Sequence, residues 1–277
     1  MSQKKHTARP SVRTVPATYF DVQAYWGATK HMGGRRATDE LIGLCGIDAD
    51  SLVLEIGCGV GVTTSMLAGR IGCRVVALDR NLMMLSRAGE RARREGDDVR
   101  VMFVCADARH IPFREGVFDV VMSESATTFV SEKREAVRDY VRATVPGGRV
   151  GVNEEIWHEP PNESMASYVE DVLEIPSGIP DADGWITLLR DAGLSNIVAR
   201  PRHFRIIGQF LDELGRYRFG EYLLSLGRFF ALVVTNRAFR RYMRHTMFRA
   251  VPRGMFRRLG YGLFVGVKGD DAARQGG

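Results

Sequence analysis

Residues 53–64, Val-Leu-Glu-Ile-Gly-Cys-Gly-Val-Gly-Val-Thr-Thr, join an apolar strand directly to three alternating glycines and the start of a helix. Such a junction has few ways to fold. Glycines at 57, 59 and 61 remove each Cβ where the backbone must turn sharply, pass close to a ligand and leave a helix N-terminus open to an anionic group. A dinucleotide fingerprint would read G-x-G-x-x-G, but Val62 stands where its third glycine belongs, and Gly61 arrives one residue early. Glu55 lies two residues before the first glycine, where the strand ends.

Four more signals follow in order. Arg74–Asp79 reads as a second buried strand ending in a carboxylate, 24 residues after Glu55. A third strand, Val101–Cys105, runs into Ala106-Asp107-Ala108, and a fourth, Val117–Met122, into Ser123-Glu124-Ser125. Val145-Pro146-Gly147-Gly148 then turns into a fifth strand from Arg149 to Asn153. Over roughly residues 50–155 this series resembles the motifs of class I S-adenosylmethionine-dependent methyltransferases.

The resemblance implies a cofactor, S-adenosyl-L-methionine, and places for its parts. Glu55, Gly57, Cys58, Gly59 and Gly61 would face its methionine end. Asp79, beside Arg80, would accept the ribose hydroxyls, Asp107 with Ala108 would bind the adenine amino group, and Glu124 would lie beside the methyl. Within the class, Asp107–Phe113, Phe118-Asp119 and Val145–Gly148 resemble the small-molecule branch that includes the ubiquinone and menaquinone biosynthesis enzymes. Sterol, sarcosine and natural-product methyltransferases share these motifs, so the acceptor is not carried over. A nucleic-acid amino methyltransferase would show Asn/Asp-Pro-Pro-Tyr after the fourth strand; Ser123-Glu124-Ser125-Ala126 stands there instead. The double-glutamate loop of protein arginine methyltransferases is absent from the same place, while protein or RNA acceptors stay open.

The expected fold is α/β: a Rossmann-like, doubly wound seven-stranded sheet whose last strand is antiparallel, with N-terminal helices and a helical insertion before that strand. Strands near 51–56, 74–79, 100–105, 117–123 and 148–153 alternate with helices near 62–70, 81–95 and 132–144, which demands right-handed crossovers and a parallel sheet covered on both faces. Asn81 is a suitable N-cap for the helix 81–95, whose Arg87, Arg91, Arg93 and Arg94 are expected on a solvated face. A helix over 183–193, a strand over 196–202 and a last strand over 260–268 complete the pattern. The expected segments are a disordered basic tail (1–16), a core with cap helices at 19–30 and 36–45 (17–202), a helical basic insertion (203–258), and the last strand with a flexible tail (259–277).

With 277 residues and 45% hydrophobic content, one enzyme domain plus a subdomain is expected. Cysteines 45, 58, 73 and 105 show neither C-x-x-C nor zinc spacing, which points to reduced cytoplasmic thiols and no metal site. The first 16 residues are basic and lack the apolar core of a signal peptide.

Charge is local. From residue 222 to residue 269 there are nine arginines and Lys268 but no Asp or Glu, although the whole chain is only +6. Apolar Phe229, Phe230, Leu232, Val233, Phe239, Met243, Met247 and Phe248 interleave with the arginines, so residues 228–258 are expected to meet an anionic membrane surface peripherally at its inner face. A helical cap over the substrate pocket with a solvated arginine face is the other reading. Nucleic acid is the rival partner favoured by charge but by no motif.

Alignment and a dry pocket can supply most of the acceleration of a methyl transfer from a sulfonium. Where the acceptor needs a base, Glu124 and Glu155 are the leading candidates, followed by Glu154, His110 and His158. Aromatic core packing of the helix 19–30 is the first reading of Tyr19, Tyr25 and Trp26, and a wall for the sulfonium by cation–π contact is the other. The expected function is methyl transfer to a small, lipophilic acceptor at oxygen or carbon. A cofactor-binding regulatory or scaffold protein without turnover is the alternative.

Overall fold

The computed structural model describes residues 20, 23–24, 31–176, 178–204, 219–246 and 249–269. The tail 1–16, most of the expected helix 19–30 with Tyr19, Tyr25 and Trp26, and residues 205–218 lie outside the described residues.

The described strands are β1 (Leu52–Ile56), β2 (Arg74–Asp79), β3 (Val101–Cys105), β4 (Phe118–Glu124), β5 (Thr144–Trp157), β6 (Leu194–His203) and β7 (Leu259–Lys268). They form one sheet in the order β3-β2-β1-β4-β5-β7-β6. The first five run parallel, and β7 pairs antiparallel with both β5 and β6, as expected for the last strand. The order reverses beside β1, so the connections that leave the C-terminal ends of the adjacent β1 and β4 diverge there and leave a crevice.

Apolar runs in the central strands follow from burial on both faces. Leu54 and Ile56 of β1 pack with Val121, Tyr140, Trp185 and Phe264 on one side, while Val53 packs with Leu41, Leu67, Val75 and Leu263 on the other. Helix α1 (Gly34–Cys45) covers the second face through Leu41, Ile42 and Cys45. The helix after the glycine loop is α2 (Val62–Ser65), followed by a wider π turn over Met66–Ile71 rather than a single helix over 62–70. That turn closes where Gly72 and Cys73 both donate to Leu67 O, at 3.0 and 3.3 Å.

Helix α3 (Leu82–Glu95) starts as its cap predicts, with Asn81 Oδ1 accepting from Met83 N and Met84 N at 2.9 and 3.2 Å. Its Arg91 corrects the expectation of a solvated face. The residue is buried, and its Nε donates to Val60 O at 3.1 Å, so it ties α3 to the glycine loop. Helix α4 (Lys133–Ala143) precedes β5, which is longer than the expected 148–153. Pro146-Gly147-Gly148 lies inside β5 as a bulge, since two steps along β4 from Phe118 to Val120 face five along β5 from Thr144 to Arg149. Helix α5 (Glu163–Asp171), capped by Asn162, is an element that the sequence reading did not anticipate. Helix α6 (Ala182–Asp191) leads into β6, and the insertion contributes α7 (Phe219–Thr235), α8 (Arg237–Thr246) and the short α9 (Met255–Arg258).

Candidate functional site

A cleft opens at the C-terminal ends of β1, β2, β3 and β4. Its floor is the glycine loop, where Gly57, Gly59 and Gly61 have φ of 70°, 53° and 77°. Only glycine takes these values without strain, and a Cβ on Gly57 would also run into Ala126. Gly57 N and Cys58 N both donate to Leu78 O, at 2.8 and 3.0 Å, which folds the loop against the end of β2. Gly61 lies under the loop rather than along the cleft, and a Cβ there would come within 2.8 Å of Ala88 of α3.

Asp79 locks this arrangement. Its Oδ2 accepts from Gly59 N at 2.9 Å and its Oδ1 from Asn81 N at 2.8 Å, so one carboxylate holds both the loop and the entrance to α3. Burial pushes the Asp79 carboxyl up, and the two amides pull it back. Glu55 is buried beside the loop, with Oε2 accepting from Thr64 Oγ1 at 2.5 Å. Burial, reinforced by Glu55 and Asp79, raises the Cys58 thiol well above its ordinary range, which leaves it neutral and a poor nucleophile.

Asp107 lies just past β3. Arg109 grips it with Nε to Oδ1 at 3.0 Å and Nη2 to Oδ2 at 2.8 Å, while Arg109 Nη1 reaches Glu132 Oε2 at 2.9 Å. Those hydrogen bonds hold the Asp107 carboxyl down to about 2, so it stays charged. Arg80 lies over the ring of Phe20 with Cζ 5.7 Å from the centroid, and Phe20 meets Phe129 edge-on at 4.9 Å. Ala108 also lines the cleft.

The side chain of Glu124, the last residue of β4, is buried where four elements meet. Its carboxylate accepts from Thr38 Oγ1 and Thr63 Oγ1, both at 3.0 Å, and from Asn153 Nδ2 at 3.2 Å, with His31 Nε2 3.9 Å away. These donors come from α1, α2 and β5. The sequence reading missed the contributions of Phe20, Gln23, His31, Thr63 and Phe129, which line the cleft; Thr63 lies near the end of the glycine stretch 53–64, and the other four lie in no recognisable motif. A periodic apolar N-terminal segment was the available signal.

The remaining candidate bases do not line the cleft. Glu154 Oε1 accepts from Ser123 Oγ and Thr127 N, both at 3.0 Å, and Oε2 from Thr128 N at 3.0 Å, so it caps the 3-10 turn Thr127–Phe129 beside the cleft. Glu155 is fully enclosed, and its Oε2 has no hydrogen-bond partner among the described residues. Burial, then the neighbouring Glu154 charge, push its carboxyl up to about 7, against a downward pull from Lys133. His110 is exposed, and His158 stacks on His203 at 3.8 Å beside β6. Among the described residues no three His, Cys, Asp or Glu side chains cluster as metal ligands.

The Glu155 shift has a measurable consequence. An acid whose folded pKa is raised binds more protons in the native state between its unfolded value and about 7, so its contribution to stability declines as pH rises across that window. Glu155→Gln should therefore gain stability relative to the parent between pH 5 and pH 8, by on the order of 2 kcal/mol. Urea unfolding at both pH values measures it; a difference independent of pH would show that Glu155 does not titrate in this way.

A glycine turn after β1, carboxylates near the ends of β1 to β4 and a sheet reversing beside them define a Rossmann-like domain built for a nucleoside cofactor. Residues 54–152 match the family described as a methyltransferase domain. Over those residues the chain is similar to the class I S-adenosylmethionine-dependent methyltransferases, a family whose methyl donor is S-adenosylmethionine. The methyltransferase GfsG of Streptomyces halstedii is 28% identical over 163 residues, 58% of this chain and 59% of that protein. The 27-O-demethylrifamycin SV methyltransferase of Amycolatopsis mediterranei is 29% identical over 176 residues, 61% of this chain and 64% of its own length. This chain thus spans less than two thirds of either relative. Among solved structures, Haemonchus contortus phosphoethanolamine N-methyltransferase 2, in complex with phosphomonomethylethanolamine and S-adenosylhomocysteine, superposes with a TM-score of 0.70 at 20% identity, covering 91% of this chain and 57% of that one. At that identity the likeness is one of fold.

Proposed function

We propose that this protein methylates a small, lipophilic acceptor at oxygen or carbon, using S-adenosylmethionine. The observation that carries the reading is the Asp79 carboxylate, fixed between Gly59 N and Asn81 N at the end of β2, next to a loop that excludes a Cβ at Gly57. Both features fit this cofactor. Two fixed oxygens with free lone pairs suit a ribose diol, and the bare loop suits the close approach of the amino-acid end. Asp107 and Ala108 would take the adenine edge, Glu55, Cys58 and the Gly57 and Gly59 backbone the methionine end, with Gly61 supporting the loop from below and Arg80 flanking the ribose. When bound, the cofactor supplies a methyl group on a sulfonium cation.

Glu124 is the one carboxylate of the β4 end that lines the cleft, and Thr38, Thr63 and Asn153 hold its oxygens in place. There it would face the donor's positive charge and take the proton of a hydroxyl or carbon acid as the acceptor gives it up. Glu155 has no such position. It would act through Glu154 and the 127–129 turn, which carries Phe129 into the cleft. Phe20, Phe129 and Val130 would exclude water and favour an apolar acceptor. One relative is named for 27-O-demethylrifamycin SV, an acceptor that lacks a methyl on oxygen.

Labelled methyl donor, incubated with the protein and a cell extract, tests the reading. Label should enter the organic-soluble fraction; entry into protein or RNA would refute a small acceptor. Binding of S-adenosylhomocysteine without any transfer would leave a cofactor-binding protein that does not turn over. No binding at millimolar ligand would overturn the cofactor assignment itself.

A further inference from the structure

Helix α7 is apolar on two faces. One packs inward, where Phe229, Leu232 and Val233 meet Phe239 and Met243 of α8. The other has no cover among the described residues: Leu223, Leu224, Phe230 and Val234 are 50%, 60%, 58% and 75% exposed. Residues 223, 227, 230 and 234 recur at helical spacing, so the exposed stripe is continuous along about three turns.

Helix α8 carries the complementary feature. Arg237, Arg241 and Arg244 share one face at i, i+4 and i+7 and are all exposed, opposite the inward Phe239 and Met243. No carboxylate of the described residues pairs with these three arginines. None lies nearby in sequence either, because residues 222–269 contain no acid.

We infer that α7 and α8 form a docking surface for an anionic lipid bilayer. A bilayer accommodates both kinds of surface, an exposed apolar stripe among its acyl chains and arginines among its headgroup phosphates. The other occupants of such a face fit less well. A second copy of this chain would bring two acid-free, strongly cationic segments together, and the N-terminal tail, with Lys4, Lys5, Arg9 and Arg13, is itself basic. Nucleic acid would match the arginines but not Leu223, Leu224 and Val234. No described helix is long and apolar enough to cross a membrane, so docking would be in the plane of the interface. The insertion is well placed for this. It leaves the sheet after His203 of β6 and returns at Leu259 of β7, which pairs with Trp157 at the C-terminal end of β5, the sheet edge on which the cleft opens. The inference stands apart from the proposed acceptor and does not depend on it.

Flotation of the full chain with phosphatidylcholine vesicles, alone or mixed equally with phosphatidylglycerol, tests it. The protein should float with the anionic vesicles only, and raising salt from about 0.1 to 1 M should release part of it. The variant Arg237→Gln/Arg241→Gln/Arg244→Gln should bind on the order of 100-fold more weakly, and Phe230→Ser/Val234→Ser about tenfold more weakly, at unchanged thermal midpoints. Equal retention on neutral vesicles, no retention on either, or full binding by the triple variant would overturn the inference. So would a dimer that Phe230→Ser converts to monomer, which would assign the face to a second copy. Capture of a single-stranded oligonucleotide with both vesicles ignored would also overturn it.

Discussion

Alanine in place of Asp79 should weaken S-adenosylhomocysteine binding by about 100-fold, roughly 3 kcal/mol. The carboxylate is the proposed acceptor for the ribose hydroxyls and also the acceptor of Gly59 N and Asn81 N, so its removal takes away ligand contacts and frees the loop that must cradle the ligand. Asp79→Asn keeps one acceptor oxygen of the two and should fall between, near tenfold. Calorimetry at neutral pH gives the affinities, and thermal unfolding reports whether the fold survives. An alanine variant that melts normally and binds within threefold of the parent would remove Asp79 from the cofactor site. Acidification should mimic the substitution, because burial raises the Asp79 pKa and the carboxylate is neutralised earlier on the way down than an exposed one would be.

Gly57→Ala is expected to be as damaging, and by a mechanism that a second substitution can separate. Its φ of 70° costs a residue with a Cβ about 1–2 kcal/mol, and the collision with Ala126 adds an overpacking cost of roughly 1–3 kcal/mol. Both should appear as lost stability together with lost cofactor affinity. Adding Ala126→Gly removes the steric part but not the dihedral part, so the double variant should recover about half of the stability lost. No recovery would mean that the loop is held by something other than close packing against the turn after β4. Ala126 lies next to the amides that Glu154 caps, so the two variants also probe how firmly that turn is held.

The alternation of β1 to β5 with helices was legible because burial on both faces of a parallel sheet writes itself as short apolar runs, and crossover helices as amphipathic ones. Asn81 announced α3 for an equally local reason, since a cap needs only one side chain and the next two amides. Pro146-Gly147-Gly148 was legible as an irregularity but not as a bulge inside β5, because the partner residues Phe118 and Val120 are distant in sequence. Arg91 looked solvated from its neighbours Arg87, Arg93 and Arg94, yet the carbonyl of Val60 claims it. Glu154 and Glu155 were indistinguishable as candidate bases in the sequence. In the fold one caps a turn beside the cleft, the other is enclosed among Glu154, Lys133 and the core, and neither lines the cleft.

Glu124 divides the two kinds of information most clearly. Its presence at the end of a strand, after a glycine loop and two strand-end carboxylates, is a local fact that the amino-acid order determined, as it determined the family resemblance and the acid-free stretch 222–269. The ring around it is not local. His31, Thr38, Thr63 and Asn153 are up to 93 residues from Glu124 in sequence, and no periodicity links them. Only the reversal of strand order beside β1 and the docking of α1 across the sheet bring their donors to one carboxylate. Side-chain hydrogen bonds act over about 3 Å, whereas the sequence signals that build strands and helices act over a few residues.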